Sequence, residues 1–361
     1  MDEGGKTGDT GRSNKGQPRT RRVKISEVAK AAGVHASTVS RVMDPLKRKM
    51  ISPQVVEKVL KVARELDYTP NEAAAGLRRR TSRTLGFIVP DISDPIYPRV
   101  LRGVEDATKE RGYMVLLGNA GNSYADASRI LRRMSARVVE GLLIGTTRLE
   151  DPLIQDCLDN ELPTVSVMRR SNSNSISSVT VDNREGMRMM VDLCLARGHR
   201  EFCVVAGPQN ISTGHDRHEG CLDALEARGI SLEKSHIYIA KKFTVEEGAL
   251  AVKQLLGAQG LRPTVIICAN DLLAIGAMNA CRSFGLDCPR DISITGFNDI
   301  EFAKYLSPPL TTVTTDAYAI GFKSATLLLD LLESGGRQVT NIRITPQLRE
   351  RASLRAIDHP A

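Results

Sequence analysis

The chain has 361 residues, 41% hydrophobic and 25% charged, with a net charge of +8, the composition of a soluble protein with chain enough for more than one core. No apolar run reaches bilayer-spanning length, and residues 1–22 are Gly, Ser, Thr and charged groups without the apolar centre of a secretory leader, which argues against a membrane or exported protein. The seven cysteines are dispersed, with no CxxC and no metal-ligand spacing to histidine; reduced thiols in the cytoplasm, no metal and no cofactor are expected.

The charge is unevenly placed. Residues 1–83 carry 19 Lys and Arg against 9 Asp and Glu, a net of +10, whereas the remainder holds 31 basic and 33 acidic groups. A basic segment on a near-neutral body suits a polyanion partner, because Lys and Arg release counterions condensed on phosphates.

Residues 1–22 read as a disordered basic arm, and residues 23–67 follow as a small helical unit. Ile25, Val28, Ala29 and Ala32 fall on one helical face, and Gly33 supplies a stop. A second apolar set, Val34, Val39, Val42 and Met43, begins after a turn of a few residues, the helix-turn-helix arrangement. The second helix exposes Ala36, Ser37, Ser40 and Arg41, which suits entry into a major groove and readout of base edges. Ser52-Pro53 opens a third helix, with Ser as N-cap and Pro at the first helical position, and Val55, Val56, Val59, Leu60, Ala63 and Leu66 form its buried face.

Residues 68–83 read as a hinge. Asn71 to Arg78 is an alanine-rich stretch of barely two turns, with Leu77 among Arg78, Arg79 and Arg80. So short a helix is marginal in water, where roughly 12 to 15 residues are needed even for good formers. It should order on a partner, Leu77 acting as a minor-groove wedge while the arginines hold phosphates.

These motifs resemble the LacI/GalR (lac-repressor) family of bacterial transcription regulators. The match rests on Val28-Ala29 with Ala32-Gly33-Val34, Thr38-Val39-Ser40-Arg41-Val42, Ser52, Tyr68-Thr69-Pro70-Asn71 and Leu77-Arg78. It continues through Gly86 to Pro95, Gly198-His199-Arg200, Ala269-Asn270-Asp271, Gly296-Phe297-Asn298-Asp299 and Pro309 to Val313, so that it spans residues 23–357. The resemblance implies that Ala36, Ser37 and Arg41 read bases, that Thr38, Ser40 and Asn71 contact phosphate or backbone, and that Leu77 intercalates beside Arg78. Three departures stand out. His35 replaces the common Ser or Thr at the start of the recognition helix and either weakens that cap or itself meets a phosphate; Asp44 replaces a frequent Asn; and the loop from Asp44 to Ile51, with Lys47 and Arg48 as further DNA contacts, is about two residues longer than the shorter family versions.

From residue 84 short apolar runs alternate with helical patterns: Leu85 to Val89, a helix near Tyr97 to Arg111, Met114 to Leu117, a helix near Asp126 to Arg137, Leu142 to Ile144 and Val165 to Val167. The alternation restarts at Phe202 to Val205, His236 to Ile239, Val265 to Cys268 and Ser293 to Thr295. Strict alternation implies parallel sheets with helices on both faces, and two series imply two doubly wound lobes. The resemblance adds a periplasmic-binding-protein-like body at 84–361, with a first lobe of 84–181 and 315–342 and a second of 182–314 and 343–357.

Ligands of such sheets bind beyond the carboxyl ends of the strands. Asp94, Ile96, Tyr97, Met168, Arg169, Arg217, Phe243, Asn270 and Asn298 follow the strand runs or open helices after them, at the positions the family uses for its effector. Tyr97 and Phe243 offer flat faces, Arg217 a charged fork, and Asn270 and Asn298 amides; singly, Asn270, Asp271 and Asp299 read more simply as turn or capping residues. Met168 stands where sugar-binding relatives often place a carboxylate, and Asn298 replaces a frequent Asp, which favours an anionic effector such as a sugar acid or sugar phosphate. Arg169 pointing to solvent is the plain alternative.

No GxSxG, Walker loop or GxGxxG after the first strand is present, and His215 and His218 lack an acidic third ligand, which argues against an enzyme or a zinc site. The expectation is a homodimeric repressor on a near-palindromic double-stranded operator, its paired hinge helices in the central minor groove and responsive to a small metabolite. A regulator controlled by a partner protein is the alternative, and a solute-binding protein on the same scaffold is the weaker one.

Overall fold

Ile25, Val28, Ala29 and Ala32 line one side of α1 (Ile25–Ala32), which ends at Gly33, whose φ of +63° places it in the left-handed region. The computed structural model describes residues 23–44, 47–68, 82–136, 139–335 and 338–357; the chain divides into two units, residues 1–80 and 81–361. In the first, α2 (Ala36–Met43) and α3 (Pro53–Glu65) close over α1, and Val28, Ala29, Ala32, Val39, Val42, Val59 and Ala63 form a small core. Ser52 stands at the N-cap of α3 with extended backbone, but its hydroxyl makes no capping bond, so Pro53 alone shapes that start.

The second unit holds two lobes. In the first lobe β1 (Thr84–Val89) lies between β2 (Met114–Asn119) and β3 (Gly141–Ile144), and β4 (Thr164–Val167), β5 (Ser177–Val181) and β11 (Asn341–Ile344) extend a six-stranded parallel sheet in the order β2-β1-β3-β4-β5-β11. Alternation along β1 shows why it is apolar throughout. Leu85, Phe87 and Val89 pack with Val100 and Val104 of α4 (Tyr97–Glu110) and with Ile320 and Leu328 of α11 (Ala317–Ser334), whereas Ile88 turns to Leu131 of α5 (Tyr124–Ser135) and Leu153 of α6 (Pro152–Asp159). At the close α4–α11 crossing, the Gly103 Cα faces the Tyr318 carbonyl and the Gly321 Cα faces that of Val100.

The second lobe has a parallel sheet in the order β7-β6-β8-β9, from β6 (Phe202–Ala206), β7 (Ile237–Ile239), β8 (Val265–Cys268) and β9 (Ser293–Thr295). One face is covered by α7 (Asn183–Ala196) and α8 (Ser212–Glu226), the other by α9 (Val245–Val252) and α10 (Asp271–Ser283). An antiparallel pair, β10 (Thr312–Thr314) and β12 (Gln347–Arg349), joins β9 through the Thr295–Thr311 bridge.

The chain passes between the lobes three times: after β5, after β10, and between β11 and β12. Arg343 and Ile344 pair with Thr180 and Val181 of β5, so the first lobe continues two residues past the boundary expected at 342. The strand positions read from the sequence match β1–β4 and β6–β9, while β5, β10, β11, β12 and the helices α6, α7, α9, α10 and α11 went unread. All seven cysteines are free thiols, six of them buried and Cys288 half-buried.

Candidate functional site

Two sets of residues carry chemistry, one in each unit. On the helical unit, α2 presents Ser37 and Arg41 to solvent with Ala36, Thr38 and Ser40 half-exposed, while Val39 and Val42 on its other side fix it in the core. His35 occupies the N-cap. Its Nδ1 accepts from the Ser37 N–H at 3.3 Å and lies 2.8 Å from Ser37 Oγ, so the imidazole does the capping done by a hydroxyl elsewhere.

At the other end of α2, the Arg48 Nε–H donates to the Val42 carbonyl at 2.7 Å, a cation on the negative end of the helix. That bond draws the Asp44–Ile51 loop against α2; Lys47 and Lys49 stay exposed and Asp44 is buried. Asn71, Leu77 and Arg78 lie outside the described residues, as does the arm before Val23.

In the body, Arg217 is the focus. It projects from α8, is 1% exposed, and stacks on Phe297 with its guanidinium carbon 3.8 Å from the ring centre. Its Nε donates to Asn183 Oδ1 at 2.8 Å, Nη1 to the Ala269 carbonyl at 2.8 Å, and Nη2 to Asn298 Oδ1 at 3.1 Å. All three acceptors are neutral. Burial pulls the guanidinium down to about 9, opposed by the charges of Asp271, Asp94 and Asp216. Asp271, fully buried, is pushed up to about 6 by the same desolvation, although it accepts from Thr312 Oγ1 at 2.5 Å and the Ile300 N–H at 2.8 Å.

The first lobe contributes Asp94, raised above the usual carboxylate range by burial, and Arg169, whose charge opposes that rise. Arg169 is 7% exposed, with Nη1 3.5 Å from Asn122 Oδ1, so it faces inward and not to solvent. Asp94, Arg169, Arg217 and Asp271 thus form one electrostatic group across the facing strand ends of the two lobes.

Other expected ligand contacts serve the fold. Tyr97 is 3% exposed; its ring packs with Val100 and Val104, and its hydroxyl donates to the Gly145 carbonyl at 3.2 Å, so it offers no flat face. Burial pushes that phenol up to about 12. Ile96 and Met168 lie in the same core, Met168 with φ +67° and its N–H on the Val179 carbonyl. Phe243 is half-buried over Gly207. Asn270 caps α10 by accepting from the Leu273 N–H at 2.9 Å, the plainer of its two readings, and Asp299 accepts from Arg351 Nη2 at 2.7 Å. Asn298, at φ +121°, aims its amide oxygen at Arg217.

The sequence did not disclose the contacts that join the lobes. The Leu149 N–H donates to the Asn210 carbonyl at 3.0 Å, the Arg170 N–H to Ser212 Oγ at 3.0 Å, and Arg170 Nη2 to Asp216 Oδ1 at 2.7 Å. Their only signal was adjacency: Arg170 follows Arg169 and Asp216 precedes Arg217. Asn183 was missed too, although it follows β5 as the strand-end rule requires. His199 bridges Thr264 Oγ1 (3.0 Å) and the Arg355 carbonyl (3.1 Å), a structural role for the Gly198-His199-Arg200 motif. Among the described residues no three His, Cys, Asp or Glu side chains gather to hold a metal, and no helix is long and apolar enough to cross a membrane.

A helix-turn-helix unit and a two-lobed α/β body with a polar group between its lobes define a DNA-binding regulator. Comparison with known proteins agrees. Residues 24–71 match the model of bacterial regulatory proteins of the lacI family, and residues 191–354 match a periplasmic binding protein-like domain. The HTH-type transcriptional repressor PurR of Erwinia tasmaniensis is 32% identical over 332 residues, 91% of this chain and 96% of that repressor. The repressor CytR of Escherichia coli (strain K12) is 32% identical over 311 residues, 86% of this chain and 89% of CytR. Among solved structures, the lac repressor dimer bound to operator and the anti-inducer ONPF superposes with a TM-score of 0.81 at 26% identity, over 93% of this chain and all of that one. The regulator CelR in complex with cellobiose gives 0.72 at 27% identity, over 92% of this chain and all of CelR. The chain belongs to the lacI family of bacterial regulatory proteins and is a transcription regulator, not an enzyme.

Proposed function

We propose that this regulator is a cytoplasmic repressor that holds a near-palindromic operator as a homodimer and answers to a small anionic metabolite, a sugar acid or sugar phosphate, between its lobes. Ser37 and Arg41 read base edges, Thr38, Ser40 and Lys47 meet the backbone, and Arg48 braces α2.

The ligand class rests on one observation: Arg217 is buried with three neutral hydrogen-bond acceptors and, among the described residues, no carboxylate bonded to it. A guanidinium taken from water without a direct counter-ion is costly, by several kcal/mol. A ligand carboxylate or phosphate supplies that charge, with Arg169 facing it from the other lobe. Asn298, neutral where sugar-binding relatives often carry an acid, fits the same class. Occupancy of the cleft and occupancy of the operator then change one another's affinity by the same factor.

Thermal unfolding in the presence of neutral sugars, sugar acids and sugar phosphates tests the class, because a ligand bound only to the folded state raises Tm by mass action. Stabilisation by acids or phosphates that weakens in Arg169→Gln supports it. Stabilisation by neutral sugars alone refutes it, and no response to any of them favours control by a partner protein.

A further inference from the structure

The hydrogen bonds at the start of α2 set a polarity as well as a helix boundary. A backbone N–H can only donate, so the Ser37 N–H aimed at His35 Nδ1 at 3.3 Å is satisfied in the tautomer with that nitrogen unprotonated. The proton of the neutral ring then resides on Nε2. Ser37 Oγ lies 2.8 Å from the same Nδ1, a contact whose direction follows the ring tautomer; with Nδ1 unprotonated, the Ser37 hydroxyl is the donor. A hydroxyl has one proton. With it engaged, exposed Ser37 offers the groove only lone pairs.

In the major groove the exocyclic amino groups of adenine and cytosine are donors, whereas guanine O6 and N7 and thymine O4 are acceptors. We propose that His35 is a positioning residue that fixes Ser37 as a hydrogen-bond acceptor, so that Ser37 selects adenine or cytosine over guanine or thymine on the strand it faces. A Ser or Thr at position 35 would leave this open, since a hydroxyl cap can itself give or take a proton. The imidazole closes one of the two options. The inference rests on the reading of Ser37 as a base-contacting residue.

The test is selection of bound duplexes from a pool of random sequence by the full-length protein, in parallel for wild type, S37A, H35A and H35N. The base pair read by Ser37 is the one at which S37A flattens the preference. There, removing the exocyclic amino group of the selected pair, with purine in place of adenine or 2-pyrimidinone in place of cytosine, should weaken wild-type binding about three- to tenfold, the discrimination of a single hydrogen bond, while removing the partner base's keto oxygen should not. H35A should shrink that preference to about twofold or less, because the freed hydroxyl rotates to donate or accept. H35N should keep it, because an amide oxygen at the N-cap accepts from both the Ser37 N–H and its hydroxyl. A weaker helix start in H35A lowers affinity for all sequences alike and leaves the base preference alone, which separates capping from polarity. Loss of wild-type binding on removing the keto oxygen and not the amino group, a full preference surviving H35A, or its loss in H35N overturns the proposal. If S37A alters no position, the base-contacting reading of Ser37 falls first. Long-range proton–nitrogen correlation spectra of the His35 ring give an independent check: unprotonated Nδ1 is expected, and a proton on Nδ1 overturns the proposal.

Discussion

Asp271 makes the body more stable in mild acid, against the usual direction for a carboxylate. Its folded pKa of about 6 lies above the ordinary 3.8, so the folded state binds a proton more tightly than the unfolded chain does. The group therefore opposes folding above the folded value, and that opposition is relieved as pH falls through it. Between about pH 7.5 and about pH 5 the two titrations give a gain on the order of 1 kcal/mol from this single site. Partnered carboxylates on the surface work the other way. Asp126, Glu185, Asp291 and Glu301 are all held below their ordinary values by neighbouring Arg or Lys, Asp126 and Glu185 chiefly through Arg129 and Arg188, so the net slope of the wild type alone is not diagnostic.

Asp271→Asn isolates the term. The amide keeps an oxygen for the Ile300 N–H and turns its NH2 to Thr312 Oγ1, so shape and partners survive while the titration does not. Urea unfolding of the body, followed for both proteins at the two pH values, should show a wild-type stability change more favourable than the variant's by an amount on the order of 1 kcal/mol. Equal changes in the two proteins would refute the reasoning, because they would mean that Asp271 is solvated in the native state.

Gly103→Ala places a methyl group inside van der Waals range of the Tyr318 carbonyl, a backbone atom that cannot rotate away, so α4 and α11 must move apart. Thermal unfolding should show a loss of about 3 kcal/mol, at the upper end of overpacking costs. Asp216→Asn breaks the ion pair with Arg170 across the lobes; because the Arg is about a third exposed, the pair is worth about 0.5–1 kcal/mol. Calorimetric titration should find affinity for the stabilising acid or phosphate reduced about two- to fivefold, with operator binding in its absence unchanged. Arg217→Met keeps an apolar stem against Phe297 but strands three buried acceptors at about 1–3 kcal/mol each, so stability should fall by several kcal/mol and the ligand response should vanish.

The sequence was most informative where periodicity had one interpretation. Helix α1 and its Gly33 stop follow from spacing alone, and β1 reads as a strand covered on both faces because Leu85, Phe87, Ile88 and Val89 leave no polar side. Tyr97 packs in the core, and the signal for that was present in the sequence. With Val100 and Val104 it shares the i, i+3, i+7 face of α4, and that face turns to the core. Strands β5 and β11 were harder, because Ser177-Ser178-Val179-Thr180-Val181 and Asn341-Ile342-Arg343-Ile344 lack a continuous apolar run and pair across more than 150 residues. The setting of Arg217 was out of reach for a related reason. Its acceptors come from Asn183, Ala269 and Asn298, three separate stretches, and one of them is a carbonyl that every residue possesses.

The three passages between the lobes govern how the protein can be made. Neither lobe is a continuous stretch of chain: the six-stranded sheet of the first needs β11, residues 341–344, to pair with β5, and the two-stranded sheet of the second needs β12, residues 347–349, to pair with β10. A chain emerging from the ribosome at roughly 5–20 residues per second must therefore reach residues 341–349 before either of these sheets acquires its final partner. The helical unit ends before residue 81, so its core is complete long before then. A nascent chain thus holds a finished DNA-reading module while the body that governs it is still unfinished, and a chain cut short before Ile344 would leave that module ungoverned.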